Sequence, residues 1–139
     1  MKLDVLAFAA HPDDIELACS GTILKLIAEG KSVGIIDLTK GELGTRGSEQ
    51  TRQEEAALSS TILGIQVREN LDLGDGSFQL SQENKLRVIE MIRAYQPTIV
   101  LANATNDRHI DHPRAAQLVK EALFLSGLKK IETNLNGVK

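Results

Sequence analysis

The chain predicts an α/β fold, a Rossmann-like three-layer sandwich around a mainly parallel sheet, with its site at the carboxyl edge of the strands. Two observations carry this reading. Apolar, strand-like runs alternate four times with segments of helical period, and such alternation implies right-handed crossovers that place helices on both faces of a parallel sheet. Every unusual loop follows a strand, which in such sheets is where ligands bind.

The elements follow in order. Leu3 to Ala9 is a short, mostly apolar run suited to a strand buried on both faces. From Ile15 the period becomes helical through Cys19, Ile23 and Leu26/Ile27, and Gly30 supplies a stop. Cys19 falls on the inward period, so packing rather than nucleophilic chemistry is its expected role. Ser32 to Thr39 is the second strand, followed by the glycine-rich loop Gly41 to Gly47. Gln50 to Leu63 reads as a helix with Leu58, Ile62 and Ile65 on one face, and Val67 to Leu71 as a weaker strand before Gly74-Asp75-Gly76. Ser81 can cap a helix running through Ala94, which Pro97 ends. Thr98 to Ala102 is the fourth strand and Asn103 to Asp111 a polar loop. Pro113 suits the first turn of a last helix, and a polar tail begins at Lys129.

Composition narrows the function classes. A chain of 139 residues with 42% hydrophobic content predicts one soluble globular domain. Aromatics at 3% and a net charge of −3 argue against nucleic acid and anionic membrane as partners. A single cysteine, with no leader-like or membrane-spanning apolar stretch, predicts a cytoplasmic protein.

The chemistry concentrates in two clusters almost a hundred residues apart, Ala10-His11-Pro12-Asp13-Asp14 and His109-Ile110-Asp111-His112. Imidazole and carboxylate together form the ligand set of a catalytic zinc site, in which three protein ligands leave a position for water. His11 and Asp14 can turn to the same side at the start of a helix, with Asp13 projecting differently toward whatever the metal holds. Capping of the helix explains one aspartate, but not a histidine, a proline and two aspartates together. In the second cluster His112 is the metal candidate and His109 an outer or catalytic imidazole, while Asp111 could fix the tautomer of a neighbouring histidine. Gly41 to Gly47 lacks the spacing and ending of a phosphate loop. Arg52, early in the helix after that loop, suits a carboxylate or phosphate handle on a substrate, whereas Arg46 reads as solvated surface. Glu16 and Glu55 stay open between substrate contact and helix-terminus electrostatics.

The pattern Ala-His-Pro-Asp-Asp-x-Glu at Ala10 to Glu16, with His-x-Asp-His at His109 to His112, resembles the LmbE-like, or PIG-L, family of zinc-dependent N-acetylglucosaminyl deacetylases. Gly41 to Gly47, Arg52-Gln53-Glu54-Glu55-Ala56 and Leu71 to Gly76 are similar to that family as well, so the resemblance covers nearly the whole chain. Within it the chain is most similar to deacetylases of bacillithiol synthesis, which act on N-acetylglucosaminyl malate. The resemblance implies that His11, Asp14 and His112 bind zinc, or iron(II) on the same ligands. It implies Asp13 as general base and His109 as the group that stabilises the oxyanion or protonates the leaving amine. Asp111 would support the histidine and Arg52 would contact substrate. The implied partner is a small N-acetylglucosaminyl molecule, and the apolar Leu123, Phe124, Leu125 and Leu128 lead us to expect a homo-oligomer. Family members are longer and carry a later residue, often tyrosine, near the oxyanion. Tyr95 is the only tyrosine here, and residues 1–139 are accordingly expected to be a single deacetylase domain lacking its C-terminal portion.

Overall fold

A computed structural model describes residues 1–134, so the last five residues of the predicted polar tail lie outside the described residues. Four strand–helix units follow one another: β1 (Val5–Ala9), α1 (Asp14–Ala28), β2 (Val33–Asp37), α2 (Glu49–Leu63), β3 (Val67–Asn70), α3 (Gln82–Tyr95), β4 (Ile99–Leu101) and α4 (Asp111–Ser126). The sheet is parallel throughout, in the order β3-β2-β1-β4. Val5 stands opposite Val33 on one side and Ile99 on the other. The strands are shorter than the apolar runs predict, although backbone bonds such as Leu38 N to Ala9 O and Leu71 N to Asp37 O carry the pairing a little beyond their ends.

Strand alternation sorts β1 between two layers. Leu6 and Phe8 join Ile36, Val88, Ile89, Leu118 and Val119 on the α3/α4 face. Val5, Ala7 and Ala9 join Ile15, Ile23, Val33 and Ile35 on the α1 face. Cys19 is half-buried against that second cluster, at a kink where its own backbone leaves helical geometry. The face predicted for α2 is corrected. Leu58 and Ile62 are 63% and 72% exposed, and the helix instead turns Ser59, Ser60 and Leu63 inward, because the groups awaiting it are polar. Leu123, Phe124 and Leu128 are exposed, whereas Leu125 packs against the core. Among the described residues no helix is long and apolar enough to cross a membrane.

The strand order reverses at β1. The chain runs outward from β1 through β2 to β3, then returns to place β4 on the other side of β1. The carboxyl ends of β1 and β4 are therefore the topological switch point where a crevice opens. Ala10–Asp14 and Asn103–His112 leave the sheet at that crevice.

Candidate active site

The loop after β1 is held before it reaches its chemistry. Ala10 N donates to Asn103 Oδ1 at 2.9 Å, and Ala10 O accepts from Thr39 Oγ1 at 2.8 Å. Those two bonds tie the ends of β4 and β2 to β1. His11 N then donates to Asp14 Oδ2 at 2.9 Å, and Asn103 Nδ2 donates to the same oxygen at 3.0 Å. Asp13 makes no helix-capping side-chain bond, so the capping explanation fails for it. Its carboxylate instead lies half-exposed, with Oδ2 3.6 Å from Arg52 Nη2.

The three histidines meet. Ring centroids are 4.6 Å apart for His11 and His109, 4.9 Å for His109 and His112, and 5.4 Å for His11 and His112. His112 Nε2 lies 3.2 Å from Asp14 Oδ1, and His11 Nδ1 lies 3.7 Å from Asp14 Oδ2. His112 Nε2 is also buried without a hydrogen-bond partner. A buried imidazole nitrogen left bare beside a carboxylate is costly, unless a cation lies between them. The donor set and that orphaned nitrogen thus fit a divalent metal held by His11, Asp14 and His112. His11, His109 and His112 form an alternative trio whose ring nitrogens are also within reach of one ion.

Asp111 is fully buried, and its partner is His11 rather than a histidine of its own cluster. His11 Nε2 donates to Asp111 Oδ2 at 2.9 Å, and Asp75 Oδ1 lies 3.0 Å from the same nitrogen. Gly76 N also donates to Asp111 Oδ2 at 2.9 Å. Asp111 N donates to His109 Nδ1 at 3.2 Å, which leaves the ring proton of a neutral His109 on Nε2. Burial works against a charge on His11, but the Asp14 and Asp111 carboxylates and the charge of Asp75 outweigh it and raise its pKa to about 9. Burial also opposes ionisation of Asp14. The bonds from His11 and Asn103 and the nearby His112 overcome it and bring that pKa down to about 2.

Arg52 lies where the glycine loop needs it. Gly41 has φ +62°, and a Cβ there would run into the Arg52 guanidinium, so glycine lets the guanidinium tuck under the loop where it lies. Arg46 is exposed, as expected, and so is Glu55. Of the two roles considered for Glu16, the structure supports the helix-terminus one, since it is an acidic residue of the first turn of α1. It accepts from Ser59 Oγ at 2.6 Å and pairs with Arg68, away from the histidines. Tyr95, at the end of α3, donates its hydroxyl to Glu69 and its carbonyl accepts from Leu3 N, so it stands apart from the site.

Sequence reasoning passed over three participants, Asp75, Asn103 and Asp107. Asp107 Oδ2 accepts from His112 Nδ1 at 2.9 Å. All three sit in loops already marked by their place beyond a strand, which was the available signal. Around the histidines an open crevice is lined by Asp13, Leu17, Leu43, Arg52, Arg108 and Ile110 among others. It offers a donor set that could hold a metal, a half-exposed carboxylate, an N–H donor and a guanidinium on one wall.

Comparisons with known proteins agree with this geometry. Residues 6–123 match the PIG-L family model, described as GlcNAc-PI de-N-acetylase. A diacetylchitobiose deacetylase of Thermococcus kodakarensis is 34% identical over 134 residues, covering 89% of this chain and 50% of that protein. A 4-oxalmesaconate hydratase of Pseudomonas putida is 30% identical, covering 87% of this chain and 52% of that protein. The crystal structure of the conserved protein TT1542 from Thermus thermophilus superposes with a TM-score of 0.90 at 41% identity, covering 97% of this chain and 61% of that one. The chain thus spans about half the length of the curated relatives it matches. With the fold, the crevice at the switch point and both histidine–aspartate motifs inside the matched region, the chain belongs to the PIG-L family.

Proposed function

We propose that this protein is a metal-dependent hydrolase that removes the N-acetyl group from a small N-acetylglucosamine-containing molecule. N-acetylglucosaminyl malate is the specific substrate proposed, and zinc the metal, with iron(II) able to take the same ligands. The observation that carries the reading is the buried, unpartnered His112 Nε2 facing Asp14 beside His11, with Asp13 and His109 on the same crevice. The deacetylase of Thermococcus kodakarensis supports the reaction class.

In this reading His11, Asp14 and His112 hold the metal. A divalent cation there supplies Lewis acidity, making a water acidic near neutral pH and polarising an amide carbonyl. Asp13 has no capping duty and is open to the crevice, so it is free to take the proton of the attacking water. The guanidinium of Arg52, 3.6 Å away, orients that carboxylate and offers N–H groups to the substrate's acidic end. His109 keeps its proton on Nε2, because Nδ1 is occupied by Asp111 N, and donates it as a hydrogen bond to the developing oxyanion. One such donor is worth about 3 kcal/mol in typical acyl-transfer sites. The proton held by Asp13 then passes to the departing nitrogen, giving free amine and acetate.

The test is acetate release from N-acetylglucosaminyl malate by metal-loaded protein, run beside zinc titration. Acetate with one metal per chain supports the proposal, and zinc binding without acetate from any N-acetylated sugar overturns it. The hydratase relative makes addition of water to a carbon–carbon double bond the second reading. That reaction releases no acid, so the same assay separates the two.

A further inference from the structure

Each of the two metal-binding histidines proposed above presents its far nitrogen to carboxylate oxygen, but by different means. His11 Nε2 meets two carboxylates, Asp75 and Asp111. His112 Nδ1 meets one, Asp107, which lies outside the His-x-Asp-His motif in the loop after β4. Asp107 Oδ1 accepts from His109 N at 3.0 Å and Oδ2 accepts from His112 Nδ1 at 2.9 Å. The turn between them is closed by His112 N donating to His109 O at 3.1 Å. One carboxylate therefore spans both histidines of the second motif, through the backbone of one and the ring of the other.

An ionised carboxylate only accepts, so the ring proton of a neutral His112 must sit on Nδ1. Nε2 is then left with its lone pair exposed, and that atom is buried without a hydrogen-bond partner 3.2 Å from Asp14 Oδ1. Two electron-rich atoms pressed together in this way prepare a seat for a cation. We propose that Asp107 is the positioning residue of the metal centre, fixing the tautomer and aim of His112 so that Nε2 binds the metal. The inference rests on the proposed role of His112 as a ligand.

An asparagine at this position keeps the shape but supplies only one acceptor oxygen. If the oxygen stays with His109 N, the amide NH₂ faces His112 Nδ1 and drives the ring proton to Nε2, toward the metal. The experiment compares zinc affinity, by competition with a chromophoric chelator, in wild type, Asp107→Asn, Asp107→Ala and His112→Ala. Ring ¹⁵N shifts of His112 are read in metal-free protein at a pH where the ring is neutral, and thermal melts check folding. Asp107→Asn should stay folded, lose about 10- to 100-fold in zinc affinity and move the His112 proton from Nδ1 to Nε2. Wild-type affinity in both Asp107 variants while His112→Ala loses zinc would overturn the Asp107 assignment alone. So would an unchanged His112 tautomer in both Asp107 variants, since Asp107→Ala leaves no side-chain acceptor at Nδ1. Wild-type affinity in His112→Ala would remove the ligand reading, and this proposal with it.

Discussion

Asp14 and Glu16 stand two residues apart on α1, yet they belong to two clusters of charge built in opposite ways. Glu16 enters a network closed around a cation of the chain, Arg68, through Oε1 alone, its Oε2 being buried without a bond. Arg68 donates from Nε and Nη2 to the two oxygens of Asp37, at 2.8 and 3.1 Å, while Nη1 serves Glu16 and the Ala56 carbonyl. The guanidinium is thereby paired with two carboxylates. Burial pushes the Asp37 carboxyl above its usual range, and the Arg68 contact holds that shift back. Asp14 enters an open cluster, in which it joins Asp75, Asp107 and Asp111 around the rings of His11 and His112, and His112 Nε2 has no hydrogen-bond partner. A buried carboxylate paired with a cation of its own chain holds elements in register, whereas carboxylates gathered around a bare imidazole nitrogen make a place for a cation from outside. The two clusters share a sheet edge and a helix, and each leaves a buried atom without a bond, Glu16 Oε2 in one and His112 Nε2 in the other. What separates scaffold from chemistry is that the first cluster already contains its cation, the Arg68 guanidinium.

The open cluster should respond to substitution in activity and the closed one in stability. The largest effect is expected at Asp13. Asp13→Asn keeps size and removes the base, so kcat should fall about 10²- to 10⁴-fold in an active form of the enzyme while metal content is unchanged. Near-normal turnover would remove Asp13 from the mechanism. Arg68→Ala should do the reverse. It leaves Asp37 buried without its partner, at a cost of about 3–5 kcal/mol in urea unfolding, with zinc affinity of the folded protein retained. A variant that loses zinc affinity but not stability would merge the two clusters into one.

The pH dependence sharpens the comparison further. The pKa of His11 is raised to about 9 in the folded, metal-free protein, so its contribution to stability is full below the unfolded value of about 6.5. That contribution is lost as pH rises from there through about 9. Asp14 has its pKa lowered to about 2, so it contributes above the unfolded value and loses that contribution as pH falls toward 2. Thermal melts of metal-free protein should therefore decline from mildly acidic toward alkaline pH. Zinc should reverse the alkaline side of that trend, because metal competes with the His11 proton. Calorimetry near neutral pH in buffers of different ionisation enthalpy should show a proton released on zinc uptake. The smallest effect is expected at Ser48, whose side chain accepts from Thr51 N at the start of α2. Ser48→Ala should cost about 1 kcal/mol, and because α2 carries both Arg52 and the serines that meet Glu16 and Arg68, any shift in activity should be slight.

Most of the fold was legible because its signals are local. Apolar runs, the capping serine at Ser81, and stops at Gly30 and Pro97 fall where elements begin and end. Periodicity misled at α2, where Leu58 and Ile62 look inward by pattern but face solvent. The inner face of that helix is set by Arg68 and Glu16, partners distant in sequence whose pull no local pattern records. In the site, the motif residues could be named because several unusual side chains occur together within a few positions. Asp75, Asn103 and Asp107 could not, since a single polar residue in a polar loop looks like any other.

By itself the sequence determined the strand–helix alternation, the carboxyl-edge loops and the two histidine–aspartate motifs, because each depends on spacing within a few residues. Only the tertiary structure decided who meets whom. It put β4 beside β1 and so brought His112 to Asp14. It gave Asp111 to His11 across a hundred residues instead of to a neighbour in its own motif. It withdrew Glu16 from the site into a pair with Arg68. Hydrogen bonds and ion pairs act over about 3 Å, and which atoms come that close follows from strand order and crossover, which no window of sequence contains.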